Sequence, residues 1–251
     1  MTRNDAARLP AALFLSLILS FASRGGAAES FSRTDGGEES LRIARSSDFG
    51  QVLAVFSTLP LARGTPPDGV SRAALRALGR RDCSAAFFHW QRRDLAEDWI
   101  REQLERRRRA GRPARLILAG HGHGGAAAAD AAHAILSRDA DAAIILLLTV
   151  DAVKTDRLAA AAGSAIVNRI PGVSANFMAY DSAPVPDGIR LWSHVNYYQD
   201  GSEPTRGTAM PGAENHLARD PSGLLNHGNI DDFMFPLLVA DFRAALERRV
   251  P

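Results

Sequence analysis

The stretch from Arg115 to Ala127, R-L-I-L-A-G-H-G-H-G-G-A-A, constrains the fold of this chain more than any other. Its first half, Leu116 to Ala119, is a short apolar run of the kind that forms a buried β-strand. Four of the next six residues are glycine, which predicts a sharp turn, and an alanine-rich segment follows directly. The chain is therefore expected to pass from a buried strand through a tight turn into a helix packed on the same sheet.

Strands and helices are predicted to alternate along the rest of the chain. The strand segments are apolar or β-branched, and the helical segments carry apolar residues at three- and four-residue spacing. In chain order they are strand 51–58, helix 71–78, strand 85–90, helix 94–109, strand 116–119, a helix ending near 138, strands 142–150 and 189–198, and helix 231–246. This order predicts an α/β fold with a mainly parallel sheet, in one domain from 48 to 251.

The first 28 residues have the features of a secretory signal peptide. Two arginines precede an apolar run from Pro10 to Ala22, and small residues at Gly26 to Ala28 suit a cleavage site. The run is too short to cross a bilayer, so no stable membrane span is expected after cleavage. Residues 29–47, rich in Ser, Gly and charge, are interpreted as a leader before the domain. The sequence thus predicts a secreted or periplasmic protein.

Charge argues against a nucleic-acid partner. The chain has 30 basic and 28 acidic residues, and cleavage after Ala28 would leave 27 of each. A neutral domain is a poor binder of phosphate backbones. The run Arg106 to Arg109 is interpreted as a solvated last helical turn, placed at the negative end of the helix dipole. The single cysteine, Cys83, is expected to be a buried, small apolar residue.

The glycine-rich turn has the frame of a nucleophile elbow, in which G-x-S-x-G joins a strand to a helix. Here Gly120-His-Gly-His-Gly124 places Gly122 where that pattern has Ser. Asp151 follows the next buried strand, and His227 lies late in the chain. In open α/β sheets the functional groups gather at the carboxyl ends of the strands. Positions 122, 151 and 227 therefore follow the order nucleophile, acid, histidine.

With these features the chain resembles the α/β-hydrolase superfamily, and within it the lipase- and esterase-like members. The resemblance covers roughly residues 51–246 and rests on L-I-L-A-G-H-G-H-G-G, which is similar to the G-H-S-x-G-G of that family with Gly in place of Ser. Weaker support comes from L-T-V-D-A-V at 148–153, N-Y-Y-Q at 196–199 and N-H-G-N-I-D at 226–231.

The resemblance implies roles for individual residues. His227 would be the base and Asp151 the acid, with Asp200 as the alternative acid because it also follows a strand. His121, His123 and Gly124 would belong to the elbow and to the oxyanion-binding amides. The first predicted strand ends in F-S-T at 56–58, where many members have His-Gly for the oxyanion loop.

Gly122 has no hydroxyl, so the covalent half of serine chemistry is missing. The amides at the helix N-terminus could still attract a carbonyl oxygen or an anion. The predicted ligand is a small-molecule ester or acyl group, with no cofactor and no metal. We expect a hydrolase-fold protein that is catalytically impaired or repurposed. If it is an enzyme, it belongs to the carboxylic ester hydrolases.

Three alternatives remain open at the level of sequence. His123 or a bound water could replace the serine as nucleophile, with His227 as base. His121-Gly122-His123 has the H-x-H spacing of some zinc sites, which require further ligands. Gly120, Gly122 and Gly125 also fit G-x-G-x-x-G, a dinucleotide-binding pattern, but Asp151 lies 26 residues beyond Gly125 where an acidic residue is expected after about 20.

Overall fold

The computed structural model describes residues 27–33, 39–45, 51–58, 68–79, 83–153, 191–200, 207–210 and 212–248. Within them lies an eight-stranded sheet of order β1-β2-β4-β3-β5-β6-β7-β8. The strands are β1 (Ala27–Arg33), β2 (Glu39–Arg45), β3 (Gln51–Ser57), β4 (Cys83–His89), β5 (Arg115–His121), β6 (Ala143–Val150), β7 (His194–Gln199) and β8 (Glu214–Ala218). The helices are α1 (Gly69–Leu78), α2 (Arg93–Arg109), α3 (His123–Arg138), α4 (Ile230–Phe233) and α5 (Phe235–Glu247).

The six strands from β4 to β8 in the sheet order run parallel, which confirms the predicted fold class. β2 pairs antiparallel with β4, and β1 pairs antiparallel with β2. Because the central strands are parallel, their carboxyl ends lie along one edge of the sheet. The residues that follow β3, β5 and β6 therefore converge at that edge.

Helices cover both faces of the sheet, so the central strands are buried on both sides. Leu53 and Val55 of β3 face a core shared with α1 and α5. Their neighbours Val52, Ala54 and Phe56 face the opposite core, which is shared with α2 and α3. Alternate side chains of one strand thus enter different cores, as the two-residue period of a strand requires.

Part of the segment interpreted as a leader, 29–47, lies in the sheet. Residues 27–33 and 39–45 form β1 and β2 and extend the sheet beyond β4. Their polar composition hides this role, because a strand joins a sheet through backbone hydrogen bonds, which do not depend on the side chains. The predicted start of the domain at residue 48 falls between β2 and β3 in the chain. The predicted signal sequence falls largely outside the described residues.

Two further details differ from the sequence interpretation. The sequence pattern does not predict β8, because E-N-H-L-A has little apolar alternation and occupies an edge of the sheet. Arg107, placed in a solvated turn by the sequence, is only 5% exposed and donates a hydrogen bond to the carbonyl of Gln51 at 3.0 Å. Its neighbours Arg106 and Arg109 do pair with glutamates on the exposed side of α2.

Among the helices described here, none is long and apolar enough to cross a membrane.

Candidate active site

The glycine turn between β5 and α3 adopts the sharp conformation that its sequence predicts. Gly122, the residue between the strand and the helix, has φ 55° and ψ −122°. Its N–H donates to the carbonyl of Val150 at 2.9 Å, which ties the turn to the end of β6. A positive φ is strained for residues with a Cβ, so this position favours glycine on backbone grounds alone.

The flanking glycines are required by close packing. A Cβ on Gly120 would overlap the backbone of Gly124, and a Cβ on Gly124 would overlap the carbonyl of Phe56 in β3. A Cβ on Gly125 would lie 2.8 Å from the methyl group of Ala152. These contacts place α3 directly against the sheet. They account for the glycines of the G-x-G-x-x-G pattern without a bound phosphate.

Asp151 and His227, which the resemblance assigns as acid and base, are in contact. The Nδ1 of His227 lies 2.7 Å from the Oδ2 of Asp151, which is fully buried at the end of β6. A carboxylate only accepts hydrogen bonds, so Nδ1 carries the proton and Nε2 is the accepting nitrogen of the ring. Asp151 itself has φ 43°, a strained value for a residue that is not glycine.

The Nε2 of His227 faces Gly122. A Cβ built on Gly122 would lie 2.9 Å from Nε2 and 3.1 Å from Cε1 of this ring. The ring therefore stands where a side chain at position 122 would begin. The three positions predicted from chain order, 122, 151 and 227, lie together in space.

The alternative acid, Asp200, lies elsewhere. It follows β7, and its carboxylate is largely exposed, 3.8 Å from the Nε of Arg219. Of the two candidate acids, Asp151 is the one whose carboxylate contacts His227. Both aspartates follow strands, so the chain order could not distinguish them.

A second imidazole–carboxylate pair lies behind the first. His121 is 6% exposed, and its ring is 4.8 Å from that of His227, centroid to centroid. The Nδ1 of His121 lies 3.6 Å from the Oδ2 of buried Asp231, whose same oxygen accepts the N–H of Gly69 at 2.6 Å. Burial lowers the pKa of His121, opposed by the negative charge of Asp231. The sequence pattern does not single out Asp231, although this residue closes the N-H-G-N-I-D segment.

His123 begins α3 on the other side of the turn. Its Nδ1 donates to the carbonyl of Val153 at 3.3 Å, and its ring packs on Trp90, with 4.7 Å between the centroids. Burial lowers the pKa of His123, so the ring is neutral at neutral pH. The two histidines beside Gly122 thus contact different parts of the fold. In the part of the chain that the structure describes, no group of three or more His, Cys, Asp or Glu side chains could hold a metal ion.

The end of β3 does not offer its amide to the turn. The N–H of Thr58 donates to Asp68 at 3.1 Å, and the Thr58 hydroxyl donates to the carbonyl of His121 at 3.1 Å. The amides of His123 and Gly124 are the candidate oxyanion donors, because the N-terminus of a helix attracts an anion or a carbonyl oxygen.

The arrangement supplies an oriented base beside a helix N-terminus. His227 can accept a proton at Nε2, and Asp151 can stabilise the imidazolium that results. Gly122 contributes a backbone turn and no reacting atom.

No protein family model and no curated protein matches this chain. Among solved structures, it is similar to esterase LipW from Mycobacterium marinum, with a TM-score of 0.52, 13% identity, and coverage of 94% of this chain and 88% of that chain. It is also similar to a bacterial heroin esterase, with a TM-score of 0.51, 13% identity, and coverage of 94% and 91%. At such identities the likeness concerns the fold, which is that of the α/β-hydrolases.

Proposed function

We propose that this protein is related to serine esterases and lipases but cannot form an acyl-enzyme, because Gly122 stands in place of the nucleophilic serine. In this proposal it binds a small ester or acyl group at the elbow and is catalytically impaired or repurposed for binding. We further propose that the protein is exported, on the basis of the apolar run at 10–22 and the small residues that follow.

One observation carries the proposal. The Nε2 of His227 is directed at Gly122, and the place from which a serine hydroxyl would extend lies 2.9 Å from it. His227 and Asp151 thus stand beside position 122, where a serine hydroxyl would attack the substrate, and Gly122 supplies no hydroxyl there. In a serine hydrolase, loss of a triad member leaves only about 10³–10⁴-fold acceleration over water, from the oxyanion hole and binding.

The ligand class follows from the groups that remain. Amides at the N-terminus of α3 attract a carbonyl oxygen or a carboxylate. His227 can donate to such an oxygen when protonated, or accept from a hydroxyl when neutral. An ester or acyl group presents the carbonyl oxygen that these donors recognise, and no cofactor is needed for this recognition.

A second candidate function is hydrolysis by a water that His227 activates. The observation that favours it is the intact pair of His227 and Asp151, which can take a proton from water as it would from serine. Here the acyl group passes directly to water, without a covalent intermediate. This reaction requires His227, whereas the binding function does not require proton transfer.

The test compares wild-type protein with Gly122→Ser and Gly122→Ala. Each is assayed for hydrolysis of short- and long-chain nitrophenyl esters and for covalent labelling by a fluorophosphonate probe. We expect labelling and a gain of at least about 100-fold in kcat/KM only in Gly122→Ser, because only this variant supplies a hydroxyl. Gly122→Ala is the matched control, since it adds the same Cβ without the hydroxyl.

The outcomes separate the two candidates. Labelling of the wild type by the probe would contradict the missing nucleophile. Wild-type turnover that disappears in His227→Ala, without labelling, would favour the activated water. In the Gly122→Ser background, Asp151→Asn should lower kcat by about 10³–10⁴-fold, because the imidazolium loses its partner. Asp200→Asn in the same background should leave kcat within about twofold.

A further inference from the structure

The short segment 207–210 lies against Asp151, and we refer to it as the acid clamp. The N–H of Gly207 donates to the Oδ1 of Asp151 at 2.5 Å. The other oxygen, Oδ2, contacts the Nδ1 of His227 at 2.7 Å and the amide of Gln199 at 3.4 Å. We propose that the acid clamp is a positioning element that fixes the rotation of the Asp151 carboxylate and, through it, the ring of His227.

Only glycine fits at the first residue of the acid clamp. A Cβ on Gly207 would lie 2.8 Å from both the Cα and the carbonyl carbon of Asp151, and 2.9 Å from its Oδ1. Backbone atoms cannot turn aside as the end of a flexible side chain can. A larger residue would therefore push the clamp away from the carboxylate and break the hydrogen bond.

Side-chain amides hold the acid clamp in place. The Oδ1 of Asn215 accepts the N–H of Met210 at 2.7 Å, and its Nδ2 donates to the carbonyl of Met210 at 2.7 Å. Asn196, in β7, donates to the carbonyl of Thr208 at 2.9 Å and to the Oδ1 of Asn215 at 2.8 Å. Thr149 in β6 donates to the Oδ1 of Asn196 at 2.9 Å.

These hydrogen bonds connect the clamp to the sheet. Two neighbouring strands, β6 and β7, carry Thr149 and Asn196, and β8 carries Asn215. The network runs from buried Thr149 and Asn196 to exposed Asn215, and each amide group of the two asparagines has a partner, so the position of the clamp is well defined. A change at Asn215 should therefore alter Asp151 without any direct contact between the two residues.

The role of the acid clamp in catalysis depends on the proposed function of Asp151 and His227, whereas its effect on their geometry does not. The experiment therefore first measures geometry. The proton on the Nδ1 of His227 is observed by NMR and assigned by its loss in His227→Gln. Its exchange with solvent is then measured in wild type, Asn215→Ala, Gly207→Ala and Thr208→Ala. Thr208→Ala is the matched control, because it removes a clamp side chain and keeps the carbonyl that Asn196 contacts.

We expect Asn215→Ala and Gly207→Ala to speed exchange of this proton by at least about tenfold, since the Asp151 carboxylate is no longer held. Thr208→Ala should stay within about twofold of wild type. In the Gly122→Ser background, Asn215→Ala should lower kcat by about tenfold or more with KM little changed. If Gly122→Ser shows no activity, only this kcat measurement is lost, and the exchange measurements still test the clamp.

Unchanged exchange of the His227 proton in a folded Asn215→Ala variant would overturn the inference. If both variants fail to fold, the inference is tested in the wild type by measuring hydrogen exchange of the Gly207 amide. Hydrogen exchange slowed by about 100-fold or more relative to an unprotected amide would support the clamp, and faster exchange would refute it.

Discussion

Adding one methyl group to Gly122 should destabilise the fold in two separable ways. The first is backbone strain, because an L-residue at φ 55° is unfavourable. The second is crowding, because the new Cβ would lie 2.9 Å from the Nε2 of His227. Gly111 provides the comparison that separates them. It has φ 66°, and a Cβ there would meet nothing within 4 Å.

The magnitudes follow from the contacts. A positive φ costs an L-residue about 1–2 kcal/mol in the left-handed helical region, and Gly122, with ψ −122°, lies outside that region, so its strain is at least as large. At Gly122 the ring of His227 must also retreat by several tenths of an ångström, which lengthens its 2.7 Å hydrogen bond to Asp151. A hydrogen bond to a charged group contributes about 1.5–3 kcal/mol, so its partial loss adds about 1 kcal/mol. We expect about 2–3 kcal/mol for Gly122→Ala.

The free energy of unfolding is measured by urea denaturation for Gly111→Ala and Gly122→Ala, the latter in both wild-type and His227→Ala backgrounds. In His227→Ala the crowding is relieved, so the cost of Gly122→Ala should fall by about 1 kcal/mol, toward that of Gly111→Ala. The double-mutant cycle should give a coupling energy of about 1 kcal/mol. In thermal unfolding, each kcal/mol corresponds to about 2–4 °C in Tm for a chain of this size.

Equal costs for Gly122→Ala in the two backgrounds would refute the reasoning, because they would show that the ring of His227 does not occupy the space beside position 122. The same result would weaken the expectation that Gly122→Ser places its hydroxyl against Nε2. If Gly111→Ala lowers the free energy of unfolding as much as Gly122→Ala does in the wild-type background, backbone strain alone accounts for both changes. That result would also count against crowding at position 122.

Two further predictions concern buried titratable groups. Burial lowers the pKa of His194 to about 4, from an ordinary value of 6.5. Between pH 4 and pH 6.5 the unfolded state therefore binds more protons than the folded state. The free energy of unfolding should fall by roughly 3 kcal/mol as the pH is lowered from 6.5 to about 4. Urea denaturation across this range should show a smaller loss in His194→Gln, and an equal loss would contradict the assignment. Burial raises the pKa of Cys83 to about 12, and the side chain is 1% exposed. Ellman's reagent should therefore react with this thiol only after unfolding, and rapid reaction in buffer would argue against its burial.

Much of the fold is predictable from the sequence for a simple reason. Strands in the middle of a parallel sheet are buried on both faces, so segments such as 142–150 are continuously apolar and easy to recognise. The edges of the sheet are different. β1 and β8 lie at the two edges and β2 next to β1, and their sequences have a weaker apolar pattern than the central strands, because backbone pairing does not depend on the side chains.

The candidate site divides in the same way. The glycines at 120–125 are visible in the sequence because close approach of a helix to a strand permits no other residue there. The lack of a hydroxyl at Gly122 is equally visible, since it follows from the identity of that single residue. The order of positions 122, 151 and 227 is likewise a property of the linear chain, so it needs no knowledge of the packing.

Only the tertiary structure decided which groups meet. Asp151 and Asp200 both follow strands, yet one contacts His227 at 2.7 Å and the other is exposed beside Arg219. The burial of Arg107 and the support of Asp151 by Gly207 likewise depend on segments distant in sequence. The sequence by itself determined the turn at Gly122 and the absence of a side chain there. That the ring of His227 faces this turn was decided by long-range packing, because a contact between residues 105 positions apart leaves no periodic signal in the chain.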